Sequence, residues 1–144
     1  MTEVTFHFNA PDKLTYVARL VRKALKSGAQ IAVKCENDRI NLLDDHLWLL
    51  APTEFLPHSV VSSERHIVSA SPVLLCKFCL DAPHRQVVVN TSSEVPEGFS
   101  QFDRLIEVVT DEDEDKRVAR GRWKYYADRG YVLNRYDIAA RGDY

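Results

Sequence analysis

Only five glycines occur in these 144 residues, and none falls where a phosphate loop would need one. The turn after the first candidate strand reads Phe8-Asn9-Ala10-Pro11-Asp12, so no glycine lets the backbone approach a pyrophosphate there as a GxGxxG loop does. No P-loop sequence (GxxxxGKS or GxxxxGKT) exists either, and no cofactor is expected. Cysteine is equally short: Cys35, Cys76 and Cys79 form an odd set without a disulfide framework. Cys76-Lys77-Phe78-Cys79 offers two zinc ligands where four are needed, and neither Cys35 nor His84 has a spacing that completes the set. A redox CxxC sits at a helix start, whereas this one lies on or at the end of an apolar strand, so its thiols read as small buried hydrophobes. The five histidines are scattered and no GxSxG nucleophile sequence occurs. No catalytic or metal residue is assigned on that basis.

An excess of positive charge is missing too. Nineteen Lys and Arg stand against 21 Asp and Glu, a net charge of −2. Proteins that neutralise many duplex phosphates are usually basic, so nucleic acid is expected as an indirect contact, through another protein. No apolar run approaches the ~18 residues of a membrane span. Met1-Thr2-Glu3-Val4 carries neither the basic nor the apolar region of a signal peptide. The expectation is a cytoplasmic chain with reduced thiols and no membrane partner.

What is present is periodicity. Val4-Thr5-Phe6-His7-Phe8 reads as a strand, followed by Asn9 as cap, Pro11 at the start of a helix and Asp12 in its first turn. Leu14, Val17, Ala18, Val21, Ala24 and Leu25 recur at helical steps up to Gly28, a left-handed stop. Ile31 to Cys35 is a second strand, and Ile40, Leu43, Leu47 and Leu50 mark a second helix from about Asn37. Residues 51–71 read as a long loop. Val73 to Phe78 and Gln86 to Val89 read as strands joined by a turn at Asp81-Ala82-Pro83-His84, and Leu105 to Val109 as another strand. A last helix spans Asp111 to Arg129 and stops at Gly130. The tail from Tyr131 has no clear period, and its last few residues are candidates for disorder. Strand and helix alternate, which predicts one α/β domain over residues 1–144. Its sheet is mainly parallel with helices on both faces, a nucleotide-binding-like topology without a phosphate loop.

The last helix carries the most informative surface. On a wheel at about 100° per residue, Val118, Ala119, Tyr125 and Tyr126 gather on an apparent core side. Lys116, Arg120, Trp123 and Ala127 gather on another, with Lys124 at its margin. An indole among cations suits a ligand with one aromatic group and several negative charges. The alternatives are a tryptophan buttressing a loop, or base stacking on the indole, which the acidic run Asp111 to Asp115 disfavours. A second cluster, Trp48 with Phe55-Leu56-Pro57-His58, is covered either by the domain itself or by a partner's helix. A rival class is a small nucleotide-dependent hydrolase with a spatially assembled site.

At these residues the sequence resembles the chi subunit family of bacterial DNA polymerase III holoenzyme. One matching stretch is Leu43-Asp44-Asp45-His46-Leu47-Trp48 with Phe55-Leu56-Pro57-His58, similar to an LDxxLW…FxPH pattern. The other comprises Glu107-Val108-Val109, Arg120-Gly121-Arg122-Trp123-Lys124-Tyr125-Tyr126, and Gly130-Tyr131 with Asn134. The resemblance implies a non-catalytic adaptor in the clamp-loader assembly, pairing with the psi subunit and holding the acidic, Phe-ended tail of single-stranded DNA-binding protein. The tail-holding cations of that family fall on Lys116, Arg120 and Lys124, with Trp123 where the family commonly has Tyr. The psi-facing surface falls on Trp48, Phe55, Leu56, Pro57 and His58. The segment between Val109 and Lys116 is shorter and more acidic than the family pattern, and its like charge opposes an acidic ligand.

Overall fold

Two β-branched runs, Val4 to Phe8 and Leu105 to Val109, become neighbours at the heart of an α/β fold. A computed structural model describes residues 2–36, 58–60, 73–82 and 84–141. Strand β1 (Glu3–Ala10) runs two residues further than its apolar core suggests, because Ala10 pairs with Thr110 across a bulge. Asn9 absorbs that bulge at φ +67°, a left-handed conformation that Asn tolerates better than most residues. Helix α1 (Lys13–Lys26) is therefore capped by Asp12 and not by Asn9, which corrects the sequence expectation. The Asp12 carboxylate accepts from the Leu14 N–H at 3.2 Å and the Thr15 hydroxyl at 2.8 Å, leaving Pro11 outside the helix.

Tyr16, Val17, Ala18 and Val21 form the buried stripe of α1, and Gly28, at φ +84°, turns the chain out of it. Burying a valine of this kind stabilises by about 1.5–3 kcal/mol. β2 (Ile31–Lys34) follows. The expected second helix, from about Asn37 through Leu50, lies outside the described residues, as do Trp48, Phe55, Leu56 and Pro57. β3 (His58–Val60) falls within the stretch read as loop; three residues are too few to show a period. β4 (Val73–Cys76) and β5 (Val87–Asn90) are not paired with each other, for β2 lies between them.

β6 (Arg104–Thr110) leads into helix α2 (Asp113–Asp128), which starts two residues later than the acidic run suggests. The tail then adds β7 (Leu133–Asp137) and a short helix, α3 (Ile138–Arg141). Among the described residues, seven strands lie in the order β3-β4-β2-β5-β6-β1-β7, every pair parallel. Both faces are covered, as parallel sheets require. On one face α1 packs over Val33, Leu75, Val89 and Val108. On the other, Ala119 and Tyr126 of α2 pack over Phe6, Leu74, Val88 and Leu105. Adjacent strands β1 and β6 thus send their helices to opposite faces.

Candidate functional site

Helix α2 is held by a polar device within an apolar sheet. Glu107, at the centre of β6, is fully buried. Its carboxylate accepts from Arg122 Nε at 3.1 Å, Asn90 Nδ2 at 2.9 Å and the Tyr126 hydroxyl at 2.6 Å. Arg122 Nη1 also donates to the Ser93 carbonyl at 3.1 Å, tying the loop after β5 to the helix. Burial pushes the Glu107 carboxyl up, against the opposing pull of Arg122 and the hydrogen bonds. The face of α2 that enters the core is therefore Ala119, Arg122 and Tyr126, with Val118 and Tyr125 only partly buried. The wheel missed Arg122. An acid inside the apolar run Leu105 to Val109 was the signal that a buried cation must answer it.

That rotation decides what Trp123 does. Its ring is half-buried and meets Phe6 edge-on at 5.1 Å, so the indole does not project freely outward as the wheel suggested. It lines a groove of about 440 Å³ between α2 and the β1–β7 edge. Phe6, Phe8, Val109 and Ala119 make the apolar part of the lining. Lys116 and Arg120 come from the helix, and Arg135 comes from β7. Among the described residues, no carboxylate lies within ion-pair distance of these three cations. Lys116, Arg120 and Trp123 are thus brought together, whereas Lys124 is exposed and outside the lining. Arg135 was not identified from the sequence, because the tail showed no period from which to place it. Of the second cluster only the backbone of His58 is described, at the start of β3.

A second crevice, about 480 Å³, lies beyond the carboxyl ends of β1 and β6, where the chain leaves for helices on opposite faces, the usual ligand position of an open α/β sheet. Here its donors are already used. The Asp115 carboxylate accepts from the Thr110 N–H at 2.8 Å, the Thr110 hydroxyl at 3.0 Å and Lys13 Nζ at 3.3 Å. With Glu112 and Glu114 also in the lining, an incoming phosphate would meet carboxylates. Cys35, Cys76 and Cys79 are buried free thiols, and burial pushes Cys35 up to about 11. Cys76 Sγ donates to the Val33 carbonyl at 3.6 Å and Cys79 Sγ to the Glu97 carbonyl at 3.2 Å. Among the described residues, no three His, Cys, Asp or Glu side chains are arranged to hold a metal, and no helix is long and apolar enough to cross a membrane.

The chain is 28% identical over 138 residues to DNA polymerase III subunit chi of Pseudomonas aeruginosa, covering 92% of this chain and 94% of the relative. It is 28% identical over 111 residues to the Haemophilus influenzae protein of the same name, covering 76% of each. To the Escherichia coli K12 protein it is 23% identical over 120 residues, covering 82% of this chain and 80% of the relative. Among solved structures it is similar to the C-terminal domain of the DEAD-box protein Dbp5. The TM-score is 0.59 at 15% identity, over 96% of this chain and 91% of that one, a likeness of fold alone. The family model described as DNA polymerase III chi subunit, HolC, matches residues 1–134, which include β1, β6 and all of α2. By that match the chain belongs to the DNA polymerase III chi subunit family.

Proposed function

We propose that this chain is a non-catalytic adaptor subunit of the bacterial replicative DNA polymerase clamp-loader assembly. It binds the acidic, Phe-ended C-terminal tail of single-stranded DNA-binding protein through Lys116, Arg120, Trp123 and Lys124. It binds the psi subunit through the surface of Trp48, Phe55, Leu56, Pro57 and His58. The relatives' names support an assembly with DNA polymerase III. The observation that carries the tail-binding reading is the groove beside α2, where cations with no carboxylate partner among the described residues stand over an apolar lining. An aromatic side chain is buried favourably in such a groove, and carboxylates receive charge-assisted hydrogen bonds at its wall.

Titration with a short acidic peptide ending in Phe tests the reading, with the intact protein at low and high salt. The peptide is expected to bind, more weakly as salt rises, because the charges are solvent-accessible and screened. Arg120→Ala should weaken binding about tenfold, the order of one charge-assisted contact. Lys124→Ala should do less, since Lys124 lies outside the groove lining. Absent or salt-independent binding overturns the reading.

A further inference from the structure

We propose that Arg135 is a further binding residue of this groove, the strand-side arm of a clamp whose helix-side arm is Arg120. It selects a free carboxylate on the same residue whose aromatic ring the groove takes. The inference rests on the peptide-binding reading above.

β7 lies parallel to β1 with Phe6 opposite Arg135 and Phe8 opposite Asp137. Since side chains alternate along a strand, Arg135 and Phe6 share the sheet face covered by α2. The guanidinium lies 5.1 Å from the Phe8 ring centre and 5.9 Å from that of Trp123. Both rings line the groove, so the cation covers the apolar surface itself. Asp137, the next acid on β7, accepts through Oδ1 from Asn9 Nδ2 at 3.0 Å and from the Ala139 N–H at 3.1 Å. Among the described residues Arg135 makes no ion pair.

Two consequences follow from this placement. A carboxylate in the groove meets cations from both walls, Lys116 and Arg120 on the helix and Arg135 on the strand. The acid that reaches Arg135 belongs to the residue whose ring is already on Phe8 and Trp123, because the guanidinium lies over those rings. A chain end that carries ring and carboxylate on one residue satisfies both. A planar guanidinium can also meet a carboxylate with two parallel hydrogen bonds, which a lysine ammonium cannot match.

The test compares two forms of one acidic peptide ending in Phe, one with a free terminal carboxylate and one amidated, each titrated into the full chain. Wild type should prefer the free acid by about tenfold, and Arg135→Met should lose that preference and bind the free acid about tenfold more weakly. Methionine keeps an apolar stem on the rings, and an unchanged unfolding midpoint establishes that the variant is folded. Arg135→Lys, a second variant, should fall between the two. If Arg135→Met binds the free acid within about twofold of wild type while Arg120→Ala is weakened, the role of Arg135 is overturned and the peptide-binding reading stands. If wild type binds neither peptide, both are overturned.

Discussion

At Glu107 the chain buries a carboxylate that is affordable only because three donors converge on it. Arg122, Asn90 and Tyr126 each supply a hydrogen bond, and Arg122 alone supplies the charge. Arg122→Met leaves that carboxylate without its counter-ion in a low-dielectric interior. The variant is expected to lose about 3–5 kcal/mol of unfolding free energy, measured by urea denaturation. Adding Glu107→Gln to it should recover part of the loss, since the orphaned charge is then gone. A double variant no better than Arg122→Met would show that the pair does not act through charge. Residue identity also sets the groove: Trp123 one step from Arg122 on the helix is half-buried, so its indole serves as lining and not as a free projection.

Strand β7 is the element that most changes the picture drawn from sequence. It covers the outer side of β1, presenting Arg135 to the α2 face and Tyr136 to the α1 face. Tyr136 stacks on His7 with ring centres 4.8 Å apart, and Tyr16 of α1 places its hydroxyl 2.5 Å from His7 Nδ1. His7 therefore sits where β1, β7 and α1 meet. Burial pushes it down to about 4, with the positive charges of Arg104 and Lys23 adding to the shift. In the unfolded chain the ring titrates near 6.5, so between about pH 6.5 and 4 the unfolded state binds more protons than the folded one. Stability is thus intact above pH 6.5 and falls as the pH drops towards 4, by about 3 kcal/mol from this group. Urea unfolding of His7→Gln should show a shallower acid-side loss than wild type; parallel profiles would refute the assignment. His84, also lowered by burial and by Arg85, acts in the same direction in both proteins.

On the scale of the molecule, sheet order separates His58, the one described residue of the proposed psi surface, from Arg135. Among the described strands, β3, which begins at His58, lies at one edge of the sheet and β7, which carries Arg135, at the other. Six inter-strand steps of about 4.8 Å put those edges roughly 29 Å apart, well beyond a Debye length of ~8 Å at physiological salt. The two binding events are therefore expected to be independent. An acidic peptide should bind the free chain and the chain saturated with psi with dissociation constants within about twofold. A larger change would reveal coupling through the sheet.

The strands with strong apolar character and, among the described residues, helices α1 and α2 were legible because burial repeats along the chain at 2.0 or 3.6 residues, a local signal. Gly28 and Gly130, at φ +84° and +81°, stop α1 and α2 where the sequence implied. The same local signal located Lys116, Arg120 and Trp123 on one helix. It could not place β3 or β7. A three-residue strand has no period, and the edge strand β7 alternates too weakly for its pattern to show. Nor could it set the rotation of α2, which depends on Arg122 reaching Glu107, 15 positions earlier in the chain. Sequence determined which residues form elements and which carry charge. Tertiary structure decided which of those charges face one another, because strand order and helix rotation are fixed by contacts between residues distant in the chain.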